Sequence, residues 1–148
     1  MNTNLITHKP FNPQKIRVRK INFQLSADIP RIWHGNSLIM THFFNAINLF
    51  LPAFELMMVR VMKNQLNNIE DSEFKKQICG FIAQEASHSQ AHHQYNQILQ
   101  EQGYKFEKWL KIADFILIEI LEKRLGKTVS LATIAGFEHL TTLLAEII

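Results

Sequence analysis

Three glutamates fall where the core of a helical protein belongs, and no other feature constrains the fold of this chain so tightly. Positions three and four apart are neighbours on a helix surface. Taken in such steps from Phe44, the first long periodic segment presents Phe44, Ile47 or Asn48, Leu51, Glu55, Met58 and Met62 on one side. The second presents Phe74, Ile78, Phe81, Glu85, His88, His92, Asn96 and Leu99, and the last presents Leu131, Ile134, Glu138, Thr141 and Ala145. Each stripe carries a carboxylate at its apolar centre. Stripping an isolated carboxylate of water costs several kcal/mol or raises its pKa until it protonates, so glutamates are almost never fully buried without a partner.

A bound metal is the simplest partner. Carboxylate and imidazole are natural metal ligands, and Glu85-x-x-His88 places one of each on a single helical face. In ferritin-like di-iron and di-manganese bundles, two helices each give a Glu and two others each give Glu-x-x-His. This chain supplies the single glutamates, Glu55 and Glu138, and one Glu-x-x-His. Metal-free readings stand beside this one. Glu85 and His88 can form a buried ion pair, while Glu55 and Glu138 can lie on the flanks of their stripes, in water or paired with Arg60, His42 or His139. His92 is expected to face inward and His93 outward. Trp33, Met57, Met58 and Met62 read as core packing, Cys79 as a small packed residue, and Glu119 and Glu122, beside Phe115 and Lys123, as a solvated edge.

Composition narrows the fold class. A chain of 148 residues with 47% hydrophobic and 20% charged residues, 5 Gly and 4 Pro is sized for one domain and is expected to be all-α. The lone Cys79 excludes an intramolecular disulfide and a Cys-based zinc site. No apolar run follows the basic start, so no signal peptide is expected and the cytoplasm is the expected compartment. The net charge of +3 comes from the first 20 residues, where Lys9, Lys15, Arg17, Arg19 and Lys20 stand without an acid. Residues 1–30 therefore read as a basic extended arm with one short strand over 16–25, and nothing in it is organised to read nucleic acid. Residues 31–148 read as a helical bundle with helices over about 36–65, 72–102, 106–125 and 130–148. Asn36 or Ser37 should cap the first and Ser130 the last, Gly103 should close the second, and Pro52 should kink the first near 48–52. Leu38 to Val61 is long enough to span a bilayer, but His42, Asn45, Asn48, Glu55 and Arg60 suit a bundle interior better, so no stable membrane span is expected.

Four stretches resemble a bacterial family known as the predicted metal-dependent hydrolases, whose members look like ferritin-like helical bundles. They are Ile29-Pro-Arg-Ile-Trp33, Asn45-Ala-Ile-Asn-Leu-Phe-Leu-Pro52-Ala-Phe-Glu55, Gln84-Glu85-x-x-His88-x-x-x-His92-x-x-x-Asn96 within the segment from Phe81, and Glu138-His139-Leu-Thr141. The resemblance implies metal contacts from Glu55, Glu85, His88 and Glu138, with His92 as a further or supporting ligand and Glu55 and Glu85 as the catalytic carboxylates. Family members usually carry Gly where Phe54 stands, and they continue past the Glu138 helix into one more helix with its own Glu-x-x-His type motif. The expectation is thus an incomplete ferritin-like bundle, either a truncated member or one whose site a second copy completes. Apolar Leu143, Leu144, Ile147 and Ile148 point to a homodimer.

Three functions follow from the ligand set. One is metal-dependent hydrolysis of a small molecule, whose identity the sequence leaves undefined. The second is oxygen activation at a di-iron or di-manganese site, and the third is a metal-free helical interaction protein or inactive short form. The expected cofactor is a divalent metal, iron or manganese before zinc, because the donors are oxygen-rich with imidazole and no thiolate.

Overall fold

The computed structural model describes Phe23, Leu25, Ser26 and residues 28–147, and the expected strand over 16–25 lies almost wholly outside them. The described chain is all-α. Helix α1 spans Leu38–Gln65, α2 spans Ser72–Glu101, α3 spans Glu107–Asp114 and passes into a π-helical stretch Phe115–Glu122, and α4 spans Gly126–Ile147.

Local chemistry sets these boundaries. The chain enters α1 through Gly35 and Asn36, both at positive φ, and the Ser37 hydroxyl accepts the Met40 N–H at 3.3 Å. Ser37, rather than Asn36, is therefore the cap. Asp71 caps α2 by accepting the N–H groups of Glu73 and Phe74 at 2.8 and 2.9 Å. At the other end Gly103, with φ +90, lets its own N–H reach the Gln100 carbonyl while the Tyr104 N–H reaches that of Leu99. These paired bonds satisfy carbonyls that a helix end otherwise leaves open.

The last helix starts earlier than its sequence suggests. The reversal after the π-helical stretch is made at Gly126, with φ +78, so α4 already includes Ser130. Ser130 is therefore not a cap. Its hydroxyl is buried, 3.1 Å from the Leu121 carbonyl and 3.0 Å from that of Gly126, and ties the start of α4 to the end of the π-helical stretch.

Helices α1 and α2 form the main antiparallel pair, and α3, the π-helical stretch and α4 pack on α1. The larger core cluster joins Phe54, Met57, Met58 and Val61 of α1 to Leu117 and Ile134, and a smaller one joins Leu49, Leu99 and Phe106. Helix α1 runs uninterrupted through Pro52, whose carbonyl accepts a hydrogen bond from Ser89 Oγ at 3.0 Å. With its following turn, Leu38–Asn68, α1 is long and apolar enough to cross a membrane by length and composition, at a mean hydropathy of 1.3. Among its polar positions, Asn45, Asn48 and Glu55 nevertheless face partners on α2, and Arg60 faces Glu122.

Three side chains differ from their sequence reading. Trp33 is 38% exposed instead of core, because its Nε1 donates to Asn45 Oδ1 at 3.0 Å and holds the ring at the mouth of the bundle. Cys79 is exposed, since its place on α2 turns away from α1. Glu122 is no solvated edge, because the fold brings the Arg60 guanidinium onto it through Nε and Nη2. Glu119 does pair in the open with Lys123.

Met57 and Met58 are fully buried whereas Leu140 is 52% exposed, so truncation should separate them clearly. Met57→Ala is expected to cost about 2–5 kcal/mol in denaturant unfolding and Leu140→Ala to stay within about 0.5 kcal/mol. Equal costs would mean that the α1 face is wrongly assigned.

Candidate metal centre

The antiparallel α1–α2 register builds the site. Glu55 sits one helical turn beyond Pro52 on α1, and Glu85 and His88 lie one turn apart on the facing side of α2. One donor atom from each of Glu55, Glu85 and His88 falls within 4.8 Å of the others. Both glutamates are 5% exposed, and His88 is half-buried. His92 Nε2 stands 3.5 Å from Glu55 Oε1, so a second imidazole borders the group from the next turn of α2.

Glu138 arrives from α4. Its carboxylate lies outside the close trio, at the edge of a cavity of about 280 Å³ walled by Met62, Phe81 and Ile134. It is still close enough for its charge to raise the pKa of both Glu55 and Glu85. The structure thus brings together Glu55, Glu85 and His88, with His92 beside Glu55 and Glu138 facing the group from a third helix.

The electrostatics are those of a site without a counter-charge. Burial, then the charges of Glu85 and Glu138, push Glu55 up to about 9. Burial, then Glu138, push Glu85 up to about 7, and burial raises Glu138 as well. Burial lowers both imidazoles, His92 further through the charge of His88. A Glu85–His88 ion pair does not resolve this. The two groups stand 3.8 Å apart, longer than a hydrogen bond, and burial favours the neutral form of each. Nor do Arg60, His42 or His139 compensate Glu55 or Glu138, because Arg60 is engaged by Glu122 and no ion pair with the other two occurs among the described residues.

A divalent cation fits this donor set. Glu55 Oε2 is buried and has no hydrogen-bond partner among the described residues, a vacancy expensive for a carboxylate unless something else binds it. The donors are carboxylate oxygens and imidazole nitrogens from facing helices, the kind used by carboxylate-bridged metal sites in bundles.

A polar layer covers the group on one side. His92 Nδ1 lies 2.6 Å from Asn48 Oδ1, Asn48 Nδ2 donates to Asn96 Oδ1 at 2.8 Å, and Asn45 Oδ1 accepts from both Trp33 Nε1 and Tyr95 OH. Asn45 and Asn48, expected in the bundle interior, carry this layer, but which groups they would meet on α2 was not evident from sequence. Beside this layer open two largely apolar cavities of about 340 Å³ that share Asn48, His92 and Tyr95 as walls, one of them also lined by His88.

A family model described as a predicted metal-dependent hydrolase matches residues 17–148. No curated protein and no solved structure matches the chain.

The raised carboxylate pKa values make metal-free stability depend on pH. Glu55 moves from 4.5 to about 9 and Glu85 from 4.5 to about 7, so the folded state binds protons more tightly than the unfolded state. Stability is then complete below about pH 4.5 for these groups and is lost as pH rises toward about 9. Below about pH 6.5 the lowered His88 and His92 act in the opposite sense, so urea unfolding of chelator-treated protein should show a falling midpoint between about pH 7 and pH 9, and Glu55→Gln should flatten most of that slope. A midpoint that rises with pH would contradict the burial of these carboxylates.

Proposed function

The chain belongs to the predicted metal-dependent hydrolase family, and from that premise we propose that it holds a divalent cation through Glu55, Glu85 and His88 and hydrolyses a small molecule there. The orphaned Glu55 Oε2 beside a second carboxylate and an imidazole is the observation that carries this reading. Bound there, the ion supplies a water of lowered pKa and polarises the bond to be cleaved.

The chain's own groups do the rest. Glu55 and Glu85 are catalytic through the ion they hold, and each loses its proton as the ion binds, so affinity rises with pH. Glu138 lies outside the close trio and is left free to accept a proton from the attacking water, and burial moves its pKa upward toward the working range of a general base. His92 borders Glu55 as a further ligand. Substrate approaches from the cavities that His88 and His92 line, whose walls favour an apolar group.

The finer architecture belongs to the same proposal. A Glu from α1 and Glu-x-x-His from α2 match part of the ferritin-like ligand pattern, and the oxygen-rich donor set favours iron or manganese over zinc. Exposed Leu140 and Leu143 on α4 support association as a homodimer.

Elemental analysis of protein purified without chelator or affinity nickel tests the reading, with the mass in solution measured beside it. Stoichiometric metal is expected, Glu85→Ala should abolish it, and exposed His93→Ala should leave it unchanged. Full occupancy in Glu85→Ala, or no metal after anaerobic addition of iron or manganese, would overturn the site. Two irons per chain with oxygen uptake would replace hydrolysis by oxygen chemistry.

A further inference from the structure

We propose that Asn96 and Asn48 form a relay, anchored on two backbone carbonyls, that holds a proton on Nδ1 of His92, so that the neutral ring is the Nδ1–H tautomer with Nε2 turned toward Glu55. The premise is that a backbone carbonyl can only accept hydrogen bonds. Asn96 Nδ2 donates to the Leu49 carbonyl at 3.4 Å, which turns Asn96 Oδ1, an acceptor, toward Asn48. Asn48 answers with its amide nitrogen, which donates to Asn96 Oδ1 at 2.8 Å and to the His92 carbonyl at 3.4 Å. That leaves Asn48 Oδ1 facing His92 Nδ1 at 2.6 Å. An amide oxygen has no proton to give, so the hydrogen sits on Nδ1.

No other assignment of the amides satisfies the same contacts. Turning Asn48 over would set its oxygen against Asn96 Oδ1 and the His92 carbonyl together. Turning over both amides would set oxygen against the Leu49 carbonyl as well as the His92 carbonyl. Each arrangement buries acceptor against acceptor, and each loses bonds whose absence is costly in the interior. Asn96 is 4% exposed, and the relay runs between the two longest helices, so their packing holds it in place.

The consequence reaches the site. His92 Nε2 points its lone pair at Glu55, 3.5 Å from Oε1, and the other titratable group acting on the ring is His88. A neutral imidazole with a free Nε2 is the form that binds a metal, and a partner on the opposite nitrogen sets both its tautomer and its ring angle. Asn48 and Asn96 are thus positioning residues that act through His92. This last step rests on the metal reading proposed above, whereas the tautomer itself does not.

The test uses metal-free full-length protein with ¹⁵N-labelled histidine, and a His92→Gln difference spectrum assigns the ring. At about pH 9, where an imidazole of ordinary pKa is neutral, the long-range ¹H–¹⁵N pattern should show a protonated Nδ1 and an unprotonated Nε2. An Nε2–H tautomer would overturn the proposal, and the wild-type spectrum alone decides this even if variants fold poorly. Asn48→Leu should release the ring into a mixture of tautomers and weaken manganese binding by calorimetry about ten- to a hundredfold. A ring that stays Nδ1–H in folded Asn48→Leu would show that the relay is not the cause. The expected tautomer in a protein that takes up no metal would uphold the relay and remove the metal reading, so the two fail separately.

Discussion

The uncompensated negative charge at the meeting of α1, α2 and α4 governs the rest of this structure. Among the described residues no lysine or arginine pairs with Glu55, Glu85 or Glu138. Two outcomes are physically open to such a group: protons taken up until the charge is gone, or a cation bound in their place. Without metal the first prevails, as the elevated Glu55 and Glu85 show. A site assembled this way is poised, because a divalent ion need only displace protons that burial has already made part of the fold. Packing that brings three carboxylates together without a ligand gives up stability to do so, a familiar mark of a functional site.

That burden falls on α1, and the helix divides its surface to carry it. Phe54, Met57, Met58 and Val61 supply the apolar cluster against Leu117 and Ile134. The α2 side has a polar seam instead, running from Asn45 through Asn48 and the Pro52 carbonyl to Glu55. Methionines can slide past one another at little cost, but a ladder of hydrogen bonds works only when each rung meets its mate. The seam therefore fixes the register of α1 against α2, which places Glu55 opposite Glu85 and His88. Ser89 has a clear part in this, because its bond to the Pro52 carbonyl ties the two helices one turn before the carboxylates meet.

Much of this was legible in the sequence because a helix has a fixed period. Steps of three and four residues are enough to put Glu55, Glu85, His88 and Glu138 on inward faces, and the cap at Ser37 and the close at Gly103 follow from local hydrogen-bonding chemistry. What periodicity leaves out is which turn of one helix meets which turn of another. Arg60 finds Glu122 across 62 positions of sequence, so the edge read from Glu122's own helix was misjudged. The π-helical stretch at 115–122 changes the pitch just before α4, and a reading at 3.6 residues per turn has no means to register it. Ser130 misled for a related reason. A serine before an apolar run suits a cap and a buried hydroxyl equally, and the turn at Gly126 decided between them.

Phe54 shows how one side chain connects the core to the site. Its ring packs on Phe137 of α4, with centroids 4.0 Å apart, one residue before Glu55 on one helix and one before Glu138 on the other. The aromatic contact therefore meets the carboxylate level from both sides. Glu138 stays outside the trio of Glu55, Glu85 and His88, while its charge still raises both glutamates. A carboxylate near enough to act on the site but not drawn into its tightest group suits the proton-accepting role proposed for Glu138, and the Phe54–Phe137 contact ties its helix to α1 at that level.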